Sequence, residues 1–108
     1  MPLWKRRRRG EIVLDIAWGG YYCRPDEGGF SVVRLLDLDP WAVHLTLFRR
    51  TWEVVPSLDE ALAEEPLILH VPVAAGQVLE WSDAQLLGAR PLTEDDLLGY
   101  RTYAALFS

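Results

Sequence analysis

The sequence predicts an α+β fold: a curved antiparallel sheet or small incomplete barrel, packed by a C-terminal helix. Three features carry that expectation. Short runs of strand-forming residues are separated by Gly, Pro and Asp turns. The longest run, residues 30–49, has its turn residues in the middle and reads as a hairpin around Asp39-Pro40-Trp41-Ala42. The last stretch, from Thr93 to Phe107, combines helical spacing with a capped start.

In chain order, "EIVLDIA" (11–17) and "GGYYCRP" (19–25) read as short strands, with Gly19 and Gly20 relieving the bend between them and Pro25 to Gly29 forming a loop. The hairpin follows. With Pro40 and Trp41 as a two-residue connection, Leu38 faces Val43, Asp37 faces His44, Leu36 faces Leu45 and Arg34 faces Leu47. Unbroken alternation then puts Phe30, Val32, Arg34, Leu36 and Leu38 on the core face with Val43, Leu45 and Leu47, and the terminal helix is expected to seal that bank. Pro-Trp suits the mirror-image turns of tight hairpins poorly, so the register is the weakest link. Next, Ser57 or Asp59 caps a short helix carrying Leu58, Ala61 and Leu62, which Pro66 stops. "LILHVPV" (67–73) returns to strand, and residues 74–89 read either as short helical turns or as a strand near Gln85 to Leu87.

The terminal helix has the strongest local signal. Thr93 is an N-cap, Asp96 imitates the reciprocal capping residue, and Glu94, Asp95 and Asp96 suit the positive end of the helix dipole. Leu97, Tyr100, Ala104 and Phe107 recur at helical spacing, with Tyr103 beside them. Gly99 inside such a helix costs about 1 kcal/mol relative to alanine, unless close packing requires it.

The 108 residues suit one domain, and half of them are hydrophobic, including five Trp, four Tyr and three Phe. Residues 11–108 are expected to form a single compact domain that folds without a metal or disulfide; residues 1–10 read as a flexible basic leader. Cys23 is the sole cysteine and reads as a small, semi-buried hydrophobe. No apolar run approaches the eighteen or more residues of a spanning helix, and Glu11 and Asp15 interrupt any signal-peptide core, so a cytoplasmic location is the default.

Charge is divided by segment. Lys5, Arg6, Arg7, Arg8 and Arg9 are five of eleven basic residues, leaving six against sixteen acids and a charge of −10 for residues 10–108. That body repels a phosphate backbone, and a basic run with only Trp4 beside it offers no base-reading device. The leader therefore supports nonspecific, salt-screened anion contact at most.

Chemistry is sparse. Asp37 opposite His44, with Asp39 one step away, is the best polar constellation, since a carboxylate orients an imidazole and stabilises its protonated form. No HExxH, repeated CxxC, calcium loop, GxSxG or phosphate loop is present, so neither a metal nor a cofactor is expected. Aromatic rings near turns, with arginines beside them, suggest contact residues for a protein: Tyr22, Arg24, Trp41, Arg49, Arg50 and Trp52. The leading expectation is a nonenzymatic protein-interaction or regulatory module whose acidic body suits a basic partner. The alternatives are a nucleic-acid-associated accessory protein tethered by its leader, and a small enzyme using the Asp/His hairpin.

Overall fold

The computed structural model describes residues 16–74, 76 and 83–106. Its strands are β1 (Gly20–Asp26), β2 (Gly29–Leu38), β3 (Ala42–Trp52), β4 (Pro66–Ala74) and β5 (Gln85–Ala89); its helices are α1 (Leu58–Leu62) and α2 (Glu94–Ala105). The strands form one antiparallel sheet in the order β4-β3-β2-β1-β5. The sheet stays open, with β4 and β5 at its edges. The leader and most of "EIVLDIA" lie outside the described residues, as does Phe107.

Each face of the sheet has its own apolar cluster. One joins Tyr22, Val33, Leu35, Val43 and Leu45 to Ile16, with Trp18, Leu38, Leu47, Val71 and Val73 around it. The second joins Tyr21, Cys23, Val32 and Trp52 to Ala61 of α1, with Phe30, Phe48, Leu58 and Leu87 packed against it. Cys23 is fully buried rather than semi-buried, and burial pushes its thiol above the ordinary range.

The hairpin forms, and two of its predicted pairs hold: Leu38 opposite Val43 and Asp37 opposite His44. The other two are corrected. Leu45 faces Leu35 rather than Leu36, and Arg34 faces Thr46 rather than Leu47, because the register shifts between Leu35 and Asp37. Leu36 is the extra residue of a β-bulge, so Leu36 and Asp37 together oppose His44. Upstream of the bulge, inward and outward positions exchange. Val33 and Leu35 join Val43, Leu45 and Leu47, while Val32, Arg34 and Leu36 move to the face of His44. Helix α2 packs on this second face, so the Val43–Leu45–Leu47 bank is not the one it covers.

A similar shift occurs in β4. Leu45 faces Val71 and Leu47 faces Ile68, so Leu69 and His70 together stand opposite Thr46, whose hydroxyl donates to the Leu69 carbonyl at 2.8 Å. Both bulges therefore aim paired residues towards α2. Among the described residues no strand pairs with the outer side of β4, and Leu67, Ile68 and Leu69 are 48%, 43% and 51% exposed. Pro66, Pro72 and the bulge blunt that edge against further pairing.

The helix signals are realised in detail. Ser57 caps α1 in a reciprocal box with Glu60, and Thr93 caps α2 in one with Asp96. Gly99 sits where α2 meets β4: a Cβ there would lie 3.0 Å from His70 Cβ and 3.6 Å from Leu69 Cβ. Close helix–strand approach explains a glycine that intrinsic propensity disfavours. Gly19 has φ +72°, and a Cβ on it would collide with the Arg90 carbonyl oxygen, so this turn too requires glycine.

Candidate functional site

Two linked features occupy the α2 side of the sheet: a chain of polar side chains centred on the buried His44, and an open cleft beside it. The chain begins at the hairpin turn. Asp39 Oδ1 accepts from the Trp41 and Ala42 backbone N–H groups at 2.8 and 2.7 Å, which lets its side chain shape a turn that Pro-Trp alone does not favour. Its other oxygen, Oδ2, lies 2.7 Å from Nε2 of His44. Those bonds, the one to His44 foremost, hold the Asp39 carboxyl below its usual range although partial burial opposes ionisation.

His44 is completely buried, and its Nδ1 lies 2.8 Å from Nε2 of His70 in β4. An ionised carboxylate only accepts, so His44 donates through Nε2; in the neutral tautomer its Nδ1 then accepts from the N–H of His70. The result is a directed chain from His70 through His44 to Asp39. Two nitrogens bound to one tetrahedral zinc stand about 3.3 Å apart, so 2.8 Å marks a hydrogen bond between the rings. Among the described residues no group of three or more His, Cys, Asp or Glu is placed to hold a metal ion.

Helix α2 lies over both imidazoles. The Tyr100 ring is 4.6 Å from His44 and 5.7 Å from His70, centre to centre; Tyr103 is 5.4 and 4.8 Å away. Burial lowers the His70 pKa, and the neighbouring His44 lowers it further. Burial raises the Tyr100 pKa, and the hydrogen bond its hydroxyl donates to Asp37 adds to the shift.

The second feature is a cleft of about 520 Å³ bounded by Trp18, Leu36, Asp37, Leu92, Leu97 and Tyr100, with Pro91 and Arg101 at its rim. Arg34 builds its walls. Its side chain is 8% exposed and donates to the carbonyls of Gly19 at 3.3 Å, Arg90 at 3.0 Å and Pro91 at 3.3 Å. It also pairs with Asp96 of α2 at 3.0 Å and lies over the Tyr21 ring. One buried guanidinium thus ties the turn carrying Trp18, the segment 90–92 and the start of α2 to the middle of the sheet. Burial opposes ionisation of Asp96, but its bonds with Thr93 and the charge of Arg34 outweigh that and lower its pKa.

The sequence-predicted residues are distributed as follows. Asp37, Asp39 and His44 come together, but Asp37 turns to Tyr100 and the cleft while Asp39 holds His44. The six proposed contact residues do not form one patch. Tyr22 and Trp52 are buried in clusters on opposite faces, and the Tyr22 hydroxyl accepts from the Ala17 N–H. Arg50 stacks on Trp52 at 3.9 Å and reaches Glu64 at 3.7 Å; Arg49 is exposed. Arg24 lines a smaller groove of about 240 Å³ with Ser31, Val33 and Leu47. Trp41, 82% exposed, stands at the hairpin tip. Lys5 to Arg9 lie outside the described residues.

Sequence reasoning did not join His70, Tyr103, Trp18 and Arg34 to the site. His70 stands in an apolar strand far along the chain, and only the β4 bulge brings it under α2. Arg34 carried the one usable signal: a lone arginine in an apolar strand must find partners for five N–H donors once buried. The chain returns no match against protein-family models, curated proteins or solved structures.

Proposed function

We propose that the chain is a nonenzymatic protein-interaction module that meets its partner at the cleft between α2 and the Trp18 turn. The observation that carries this reading is the make-up of the cleft: among the described residues it is lined by two aromatic side chains, several aliphatic ones, the carboxylate of Asp37 and the guanidinium of Arg101. That mixture gives contact area at low entropic cost together with directed polar groups, as in interface hot spots. The acidic body favours a basic partner surface during encounter. A catalytic role for the hairpin is less well supported, because both ring nitrogens of His44 are engaged within the protein and none of Asp39, His44 and His70 lines the cleft. No helix among the described residues is long and apolar enough to cross a membrane.

Photo-crosslinking in the native host tests the reading. With Arg101 at the rim replaced by p-benzoylphenylalanine, one discrete protein adduct is expected, and it should disappear when Trp18→Ala is added. The same replacement at Glu27, in the exposed β1–β2 turn, should give no such adduct. Identical adducts from both positions would count against the cleft as the contact surface.

A further inference from the structure

We infer that the cleft receives one arginine side chain of the partner, its guanidinium set on Asp37 and against the rings of Trp18 and Tyr100. This rests on the reading of the cleft as the contact surface and adds the chemistry of what enters it.

Three properties of the cleft select that occupant. The first is charge. Asp37 supplies a carboxylate within a body of charge −10, and the cation in the lining, Arg101, pairs with Glu94 at 3.1 Å on the exposed side of α2. Beyond the wall, Asp96 and Arg34 neutralise one another, and Asp39 is committed to His44. Among the described residues, Asp37 is therefore the carboxylate that lines the cleft.

The second property is acceptor capacity. Asp37 Oδ1 accepts from the Leu38 N–H at 2.7 Å, and its carboxylate also takes the Tyr100 hydroxyl. A carboxylate offers about four acceptor positions, which leaves room for a forked donor.

The third is wall chemistry. Leu36, Leu92 and Leu97 suit a methylene stem, and the aromatic side chains of Trp18 and Tyr100 in the lining favour a cation beside them. A planar, weakly hydrated guanidinium meets all three requirements. A lysine ammonium is a compact, strongly hydrated point charge that neither stacks nor forks.

The probe is N-acetyl-arginine N-methylamide, titrated into the ¹⁵N-labelled full chain. Saturable shifts are expected at the Trp18 indole N–H, assigned through Trp18→Phe, and at the amides of Asp37, Leu97, Tyr100 and Arg101. The isosteric but uncharged citrulline compound should bind at least about tenfold more weakly, because it lacks the charge-assisted bond. Asp37→Asn should weaken the arginine compound to a similar extent. The citrulline comparison uses the unaltered protein, so it decides the matter even if the variant folds poorly. Shifts that are absent from the cleft, or equal for arginine and citrulline, or equal for arginine and the lysine compound, would overturn the inference. If the crosslink at Arg101 forms while the arginine compound gives no cleft shifts, the contact surface stands and the arginine assignment falls.

Discussion

His70 is the residue at which the buried chain meets solvent pH. Its nitrogen bonds to His44, the Tyr100 and Tyr103 rings lie against it, Asp37 stands behind Tyr100, and Asp39 is reached only through His44. Burial, with the adjacent imidazole second, holds its folded-state pKa below the ordinary histidine value of about 6.5. The unfolded chain therefore binds more protons than the folded one as pH drops through that value. By linkage, stability from this site is fully present above about pH 6.5 and declines as pH falls towards the folded-state pKa. Urea unfolding at several pH values should show that decline, and His70→Gln should flatten it between pH 7 and 5. An unchanged slope would mean that His70 is not buried against His44. Asp39, with its lowered pKa, acts in the same direction at lower pH, where protonation removes the acceptor for His44.

At the scale of elements, α2 is held by specific contacts more than by a deep apolar stripe. None of its described residues is fully buried, and Leu98 and Leu106 are exposed. What fixes it is the Thr93–Asp96 cap, the Arg34–Asp96 pair, the tyrosines over the imidazoles and the close approach at Gly99. Two expectations follow from that difference. Leu97 is half-buried at the cleft wall, so Leu97→Ala should cost less than about 2 kcal/mol, against the roughly 2–5 kcal/mol of a fully buried leucine. Arg34→Met should cost about 3 kcal/mol or more, because it takes the guanidinium from Asp96 and the Arg34 donor from the Arg90 and Pro91 carbonyls, while the Gly19 carbonyl keeps the Arg90 N–H. Chemical denaturation measures both, and a Leu97 variant losing more than the Arg34 variant would reverse this picture of the helix.

The same scale explains what the sequence makes legible. Elements with local signals were readable: the Thr93 cap, the Ser57 cap, the Gly19 turn, and the hairpin as far as the Asp37–His44 pair. Alternation was not readable past Leu36, because a bulge adds one residue without any glycine or proline to announce it. One inserted residue moves Val32, Arg34 and Leu36 to the opposite face, and with them the position of the site. His70 was hidden for the same reason, since its partners come from β3 and α2 and depend on a second bulge.

Across the whole molecule, the register shifts of the sheet, among them the bulges at Leu36 and at Leu69–His70, give it two different faces. One is an apolar layer around Leu35, Val43 and Leu45. The other carries a polar spine, from Arg34 and Asp96 at one end of α2 to Asp39, His44 and His70 beneath its tyrosines, with the cleft opening beside it. Tyr100 belongs to both parts: its ring rests on the imidazoles and its hydroxyl bonds Asp37 in the cleft wall. The shape of the cleft thus depends on a hydrogen-bonded chain that the register assigns to this face alone. The most direct measurement of that dependence is the scalar coupling between two nitrogens sharing a proton, read on ¹⁵N-labelled imidazoles at neutral pH. A resolved coupling between His44 Nδ1 and His70 Nε2 is expected, lost on acidification together with the Tyr100 ring shifts on both histidines. Two imidazoles that show no mutual coupling and titrate independently, as exposed side chains do, would contradict it.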